Sequence, residues 1–238
     1  MSSQRDRHVR FGSLADVVVS RINVRFTPKS GHVRCNHGCL PRANSGHCAA
    51  NSITSKLAVM FSIQVCALPQ QALLAKYAKG DNYTDCYAAE VARPVSHAEY
   101  VEAFYTTALF KVERRLLGWF ASRPSTDAQA KELASGILGV FAAWRVEDWS
   151  ANQLLMCDFT GRTRSWFMVA PAGSGSTVTR LYFGSAVVPV VNKQSGQATL
   201  GFTFKALLGF HKLYSQALLS AARSRLTMSA FVTKAQTG

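Results

Sequence analysis

The chain has 238 residues, 48% of them hydrophobic and 11% aromatic, enough apolar material to build a core without a metal or a disulfide framework. Only 17% are charged, but 27 Lys and Arg stand against 13 Asp and Glu, and the formal net charge of +14 points to an anionic partner such as nucleic acid, a membrane surface or an acidic ligand. No stretch reaches the roughly 18 uninterrupted apolar residues of a spanning helix, so no membrane span is expected.

Half of the positive excess lies in residues 1–59, where nine Lys and Arg face only Asp6 and Asp16. This head repeats itself irregularly: "RHVRF" at Arg7–Phe11, "INVRF" at Ile22–Phe26, "GHVRC" at Gly31–Cys35, and "SGHV" from Ser30 against "SGHC" from Ser45. It lacks a sustained helical or strand period, and its Arg, Ser, Gly and His do not bury a core. Zinc would take Cys35 and Cys39 as a first ligand pair. The second pair, His47 and Cys48, is adjacent in sequence, and neighbouring side chains rarely turn onto one ion; His37 would also compete. No evenly spaced cysteine framework suggests disulfides. Neither a metal nor a cofactor is expected. The head resembles translated genomic repeat DNA or the product of a misassigned start codon, with Met60 as the true start; a disordered basic tail is the alternative.

The apolar run "LAVMFSIQVCAL", Leu57–Leu68, looks like a signal-peptide core placed too deep in the chain, without a small-x-small cleavage site, and reads better as a buried strand. A helical or irregular lead-in then reaches a Gly80-Asp81 turn and a strand over Asn82–Val91, ended by Pro94. Ser96 and Glu99 form a capping box. The helix behind it carries Tyr100, Val101, Phe104, Ala108, Leu109, Val112, Leu116 and Trp119 at steps of three and four, with Lys111, Arg114 and Arg115 on the other side. It stops before Arg123-Pro124. Thr126 and Gln129 repeat the capping signal for a short helix closed near Gly136.

Strands follow at Val140–Trp149, Asn152–Phe159 and Thr163–Ala170, with hairpin spacings at Asp148–Ala151 and Thr160-Gly161. The turn "PAGSGS" leads to a strand in "TVTRLYFGSAVVPV" that ends near Pro189. After the loop "NKQSGQATLG", a long helix begins at Phe202, with Phe204, Leu207, Leu208, His211, Tyr214, Leu218, Ala222 and Leu226 on one face. These elements make an α+β domain over 60–228, with 229–238 as a tail: a curved antiparallel sheet gripping a long C-terminal helix. The gap between sheet and helix is the natural place for an apolar pocket.

Three segments carry a resemblance: "ALPQQALLAKYAKGDNYTDCY", "LYFGSAVVPV" and "FKALLGFHKLYSQALLSAA". Over about Ala67 to Leu226 the chain resembles an uncharacterised bacterial domain-of-unknown-function family with a START-like (SRPBCC, helix-grip) fold, most specifically in Asp81–Asp85 "DNYTD" and the Phe210-His211 pair. The resemblance implies a fold and a cavity, not a reaction. A cytoplasmic protein is expected.

The body has two histidines. His97 opens a helix, where exposure is expected; His211 sits on an apolar helical face, where a satisfied core histidine is the ordinary outcome. No G-x-S-x-G, P-loop or dinucleotide-binding glycine pattern occurs. Asp81 and Asp85 share one strand face and read as turn caps or as an acid–base pair; Cys86 and Cys157 read as core filling. If Trp144 and Val146 face inward, Arg145 and Glu147 face water; Leu181 and Phe183 point in against Arg180 and Tyr182, and Phe167 opposes Arg164, Trp166 and Met168. The expected ligand-binding set is therefore Trp144, Phe167, Leu181, Phe183, Phe210, His211 and Tyr214, taking an apolar or amphipathic small molecule. A dry core of the same residues is the competing reading. An enzyme using His211 with Asp85 for proton transfer, and nucleic-acid binding through the basic head, are the alternatives.

Overall fold

The structure, a computed structural model, describes residues 63–121, 124–191, 198–199 and 202–236. The basic head, with its cysteine and histidine stretch, lies outside the described residues, as do the side chains of Leu116, Trp119, Phe204 and Leu207 and residues 192–197 of the last loop. Of the strand expected over Leu57–Leu68, the described part is β1 (Gln64–Val65), an edge strand with Val65 76% exposed rather than a buried one. A 3-10 helix (Leu73–Tyr77) and β2 (Tyr83–Val91) follow.

Both capping boxes form as the sequence predicts. Ser96 Oγ accepts from the Glu99 amide while Glu99 accepts from the Ser96 amide, opening α1 (His97–Tyr105). Thr126 and Gln129 do the same for α3 (Asp127–Ala134), which Gly136 closes at φ 77°, a conformation glycine adopts without strain. The single helix expected between them is two. The Thr107 hydroxyl donates to the Phe104 carbonyl at 2.9 Å and accepts from the Phe110 amide at 3.2 Å, ending one helix and capping α2 (Ala108–Ala121). The apolar spacing runs unbroken across this joint, so periodicity alone gives no sign of it.

The strand expected over Val140–Trp149 is likewise two, β3 (Val140–Phe141) and β4 (Trp144–Ser150), joined at Ala142-Ala143 with Ala142 at φ 51°. Then come β5 (Gln153–Asp158), β6 (Thr163–Pro171), β7 (Thr179–Val187), a small ladder of β8 (Val190–Val191) with β9 (Ala198–Thr199), and α4 (Phe202–Gln236), which runs on through the segment assigned above to a tail. The result is an α+β fold with a curved seven-stranded antiparallel sheet in the order β1-β2-β7-β6-β5-β4-β3. Among the described residues, no helix is long and apolar enough to cross a membrane.

One sheet face meets α1, α3 and α4. Its centre is aromatic: Phe104 stacks on Phe183 at 5.0 Å and meets Phe167 edge-on at 4.7 Å, and Tyr105 packs against Phe110 and Phe141 at 4.8 and 4.9 Å. Such pairs add about 0.5–1.5 kcal/mol each beyond burial. The other face is not open to water, contrary to the outward assignment of Trp166 and Met168. The lead-in covers it, forming a second core of Leu74, Cys86, Leu155, Trp166, Met168 and Ala186. Gln153 fixes the cover, accepting from the Leu73 amide and Trp166 Nε1, both at 2.9 Å, and donating to the Gln71 carbonyl. A bulge between Val146 and Asp148 accompanies a Glu147 that is not in water as expected: it meets Tyr77, Lys76 and Arg164 beside the same cover.

Candidate functional site

Strand register builds the site. On the helix-covered face, Tyr87, Phe183 and Phe167 form one cross-strand rung of β2, β7 and β6, part of the aromatic core. The next rung is polar: Asp85 opposite Ser185, and Ser185 opposite Ser165. Two residues along each strand the face returns, so core and polar rung lie side by side.

Asp85 is fully engaged. Its Oδ1 accepts from the Ser185 amide at 3.0 Å and the Ser185 hydroxyl at 2.7 Å; its Oδ2 accepts from the Tyr83 and Tyr87 hydroxyls at 3.0 and 3.3 Å. His211, from α4, brings Nε2 to 2.8 Å from Ser185 Oγ and 3.5 Å from Asp85 Oδ2. Burial alone would push the Asp85 carboxyl up, but His211, Ser185 and Tyr83 outweigh it and hold it below the usual carboxylate range. With Asp85 ionised and the Ser185 hydroxyl donating to it, the Nε2–Oγ contact is satisfied when His211 Nε2–H donates to Ser185 Oγ. A serine nucleophile needs its hydroxyl and the orienting carboxylate on different imidazole nitrogens. Here both sit at Nε2, so Ser185 bridges rather than attacks.

Beside this rung the aromatic packing leaves a partly open cavity of about 50 Å³. Phe104, Tyr105, Phe110, Trp144, Phe167 and Phe183 give it apolar walls; Ser165, Ser185, His211 and Ser215 give it a polar edge. Glu113, on α2, also reaches it. This carboxyl is 4% exposed, accepts a hydrogen bond from the Tyr214 hydroxyl, and is pushed up to about 7 by burial, which the Tyr214 contact only partly opposes. The Tyr214 hydroxyl is raised in turn, by burial and then by Glu113. Trp144 Nε1–H is buried without a hydrogen-bond partner among the described residues.

Of the seven residues expected from sequence, Trp144, Phe167, Phe183, His211 and Tyr214 line the cavity together. Leu181 is buried in the core one rung further away and does not line it. Phe210 is 56% exposed, stacked on Tyr214 at 5.8 Å. It stands about 100° round the helix from His211 and so misses the cavity. His97, expected in water, is buried edge-on against Trp149 at 5.2 Å, and burial lowers it to about 4. Asp81 is exposed in the turn before β2 and does not share the site with Asp85.

Sequence reasoning missed Glu113, Ser185 and Ser165. Glu113 follows Leu109 and Phe110 by four and three residues, an apolar-face position carrying an acid, and that mismatch was the available signal. Ser165 and Ser185 are small polar residues at inward positions, two residues from Phe167 and Phe183 on the same faces. Among the described residues no group of three or more His, Cys, Asp or Glu is placed to hold a metal ion. The nucleic-acid alternative rests on residues 1–59, outside those described. No family model, no curated protein and no solved structure matches this chain.

Proposed function

We propose that the protein binds a small amphipathic molecule through the cavity between sheet and C-terminal helix, in a START-like, helix-grip manner. The observation that carries this reading is the convergence of Ser185, His211, Glu113 and Tyr214 from three elements onto one aromatic-walled cavity. Size narrows the ligand. A water occupies about 10–15 Å³ by this measure, so 50 Å³ has room for on the order of four water-sized groups, whereas pockets that enclose a whole drug-sized ligand run to about 300–1,000 Å³. The ligand is therefore very small, or only its end enters, with its hydrogen-bonding group at the His211–Ser185 edge.

A second reading has its own support: Glu113, neutral-poised and facing the same cavity as His211, is placed for proton transfer. It replaces Asp85 in that role, because Asp85 is held ionised by fixed donors. Two measurements separate the outcomes. Propan-1-ol, butan-1-ol and hexan-1-ol are added to the full chain while backbone amide shifts are followed. Saturable shifts at Phe183, Ser185 and Tyr214, strongest for the short alcohols and lost when Ser165→Leu fills the cavity, support binding. No saturable shift, or shifts unchanged in S165L, refutes it. Acceleration of α-hydrogen exchange in butan-2-one in D₂O, lost in E113Q, supports the second reading.

A further inference from the structure

Two cysteines outside the cavity, Cys66 and Cys86, stand as a pair. Cys66 follows β1 directly, and the β1–β2 register, Gln64 with Ala88 and Val65 with Tyr87, carries on to place it opposite Cys86. The Cys66 amide donates to the Cys86 carbonyl at 3.0 Å, and the two Sγ atoms stand 3.3 Å apart. At a hydrogen-bonded antiparallel position the Cα atoms are about 5.5 Å apart, inside the roughly 4.4–6.8 Å that a disulfide spans. Both thiols are free, Cys66 half-buried and Cys86 buried.

We propose that Cys66 and Cys86 are a redox-reactive dithiol, in which Cys66 is oxidised by a hydroperoxide and Cys86 resolves it to a disulfide that staples β1 to β2. The division of labour follows exposure and environment. The half-buried Cys66 is reachable by a small oxidant, and its contact with the Cys86 sulfur holds its thiol below the ordinary value, with Arg180 adding in the same direction. Cys86, buried beneath it, is shielded from the oxidant and stands within reach of the Cys66 sulfur as the resolving partner.

In the first step the Cys66 thiolate attacks the terminal oxygen of the hydroperoxide. An S–O bond forms, the O–O bond breaks, and the departing oxygen takes a proton to leave as water or an alcohol. In the second step Cys86 sulfur, losing its proton, attacks Cys66 sulfur and expels hydroxide, which leaves as water. Two electrons pass from the thiols to the peroxide. The disulfide closes on the segment leading to the 3-10 helix, where Cys66, Leu68 and Leu73 pack against the second core. Oxidation thus fixes the start of the cover over the face behind Asp85.

The full chain also contains Cys35, Cys39, Cys48 and Cys157, so the test locates the bond rather than counting thiols. Reduced protein is treated with graded hydrogen peroxide at neutral pH, alkylated, and digested with trypsin without reduction. Cleavage at Lys56, Lys76, Lys79 and Lys111, with Arg93-Pro94 resisting, puts Cys66 on peptide 57–76 and Cys86 on peptide 80–111. The expected result is that these two peptides become the first linked pair. C86S is expected to accumulate a dimedone-trapped sulfenic acid on Cys66 at least ten-fold above that on Cys86 in C66S. The melting temperature of the oxidised wild-type chain rises by about 5 °C and returns with dithiothreitol. The proposal is overturned if Cys66 links first to a cysteine other than Cys86, if both stay reduced while Cys157 oxidises, or if linkage is equally fast in urea, where the pair is no longer held together.

Discussion

Replacing Glu113 by Gln isolates the titration of one buried carboxyl. In the folded protein this carboxyl is moved by burial from the ordinary 4.5 to about 7, while the unfolded chain keeps the ordinary value. Between those pH values the folded state holds a proton that the unfolded state has released. The folded state binds more protons, so stability falls as pH rises through this window. At about 1.4 kcal/mol per pH unit the full penalty is about 3 kcal/mol, absent below pH 4.5 and complete above about pH 7. The phenols facing the carboxyl, Tyr214 and Tyr105, are both raised and stay neutral throughout. His211 lines the same cavity and is present in both proteins. Gln keeps an acceptor for the Tyr214 hydroxyl and never ionises. Urea unfolding at pH 5, 6, 7 and 8 is the assay. E113Q is expected within about 1 kcal/mol of wild type at pH 5 and about 2–3 kcal/mol more stable at pH 8. A difference that stays flat across the series refutes the reasoning, because it would mean that water reaches the carboxyl and that the cavity is no low-dielectric site.

Two further substitutions probe the frame. His97 has the opposite sign: its folded value is depressed to about 4, so between 6.5 and 4 the unfolded chain takes up a proton that the folded one refuses, and stability falls as pH drops. His97→Phe is expected to remove about 2 kcal/mol of the loss between pH 7 and pH 5, measured by the same urea series; an unchanged acid slope counts against burial as the cause. Gly184→Ala would place a methyl group 2.9 Å from the Asp85 carbonyl and from Leu74, and 3.0 Å from Trp166. Backbone cannot give way as a flexible side chain can, so thermal melting is expected to show a loss of about 2–3 kcal/mol. A neutral G184A would mean that the cover carrying Leu74 is loosely held.

Local chemistry was legible and long-range coverage was not. Both capping boxes could be read because a cap and its partner lie three residues apart. β5, β6 and β7 could be read from alternation and turn residues, whereas β9 lies within the segment "NKQSGQATLG" that reads as a loop. The joint at Thr107 escaped because a side-chain cap interrupts the backbone without interrupting the apolar spacing. The Ala142-Ala143 turn escaped because alanine carries no turn signal and adopts positive φ here only within the hairpin. Alternation correctly separated Phe167 from Trp166 and Leu181 from Tyr182. It could not say that the second face is also covered, since the cover comes from residues ninety positions away in sequence, and Trp166 meets Leu74 only in the fold.

The same distinction accounts for the site. His211 and Tyr214 were visible as polar residues on an apolar helix face, but the groups that define their chemistry come from register. Asp85, Ser185 and Ser165 are eighty to a hundred residues apart in pairs that involve Asp85, and become one rung only when β2, β7 and β6 align. A rung of Val or Leu would continue the neighbouring aromatic core without burying an anion. An ionised carboxylate in that position carries a desolvation cost that its five contacts, from Tyr83, Tyr87, Ser185 and His211, must offset. The rung has a chemical consequence: with the Ser185 hydroxyl donating to Asp85, the short Nε2–Oγ contact calls for His211 Nε2–H to face Ser185, and the aromatic-walled cavity gains a polar edge. The Ser185 amide, bonded to Asp85 and beside the cavity at once, is therefore where an alcohol group entering the edge should be felt first.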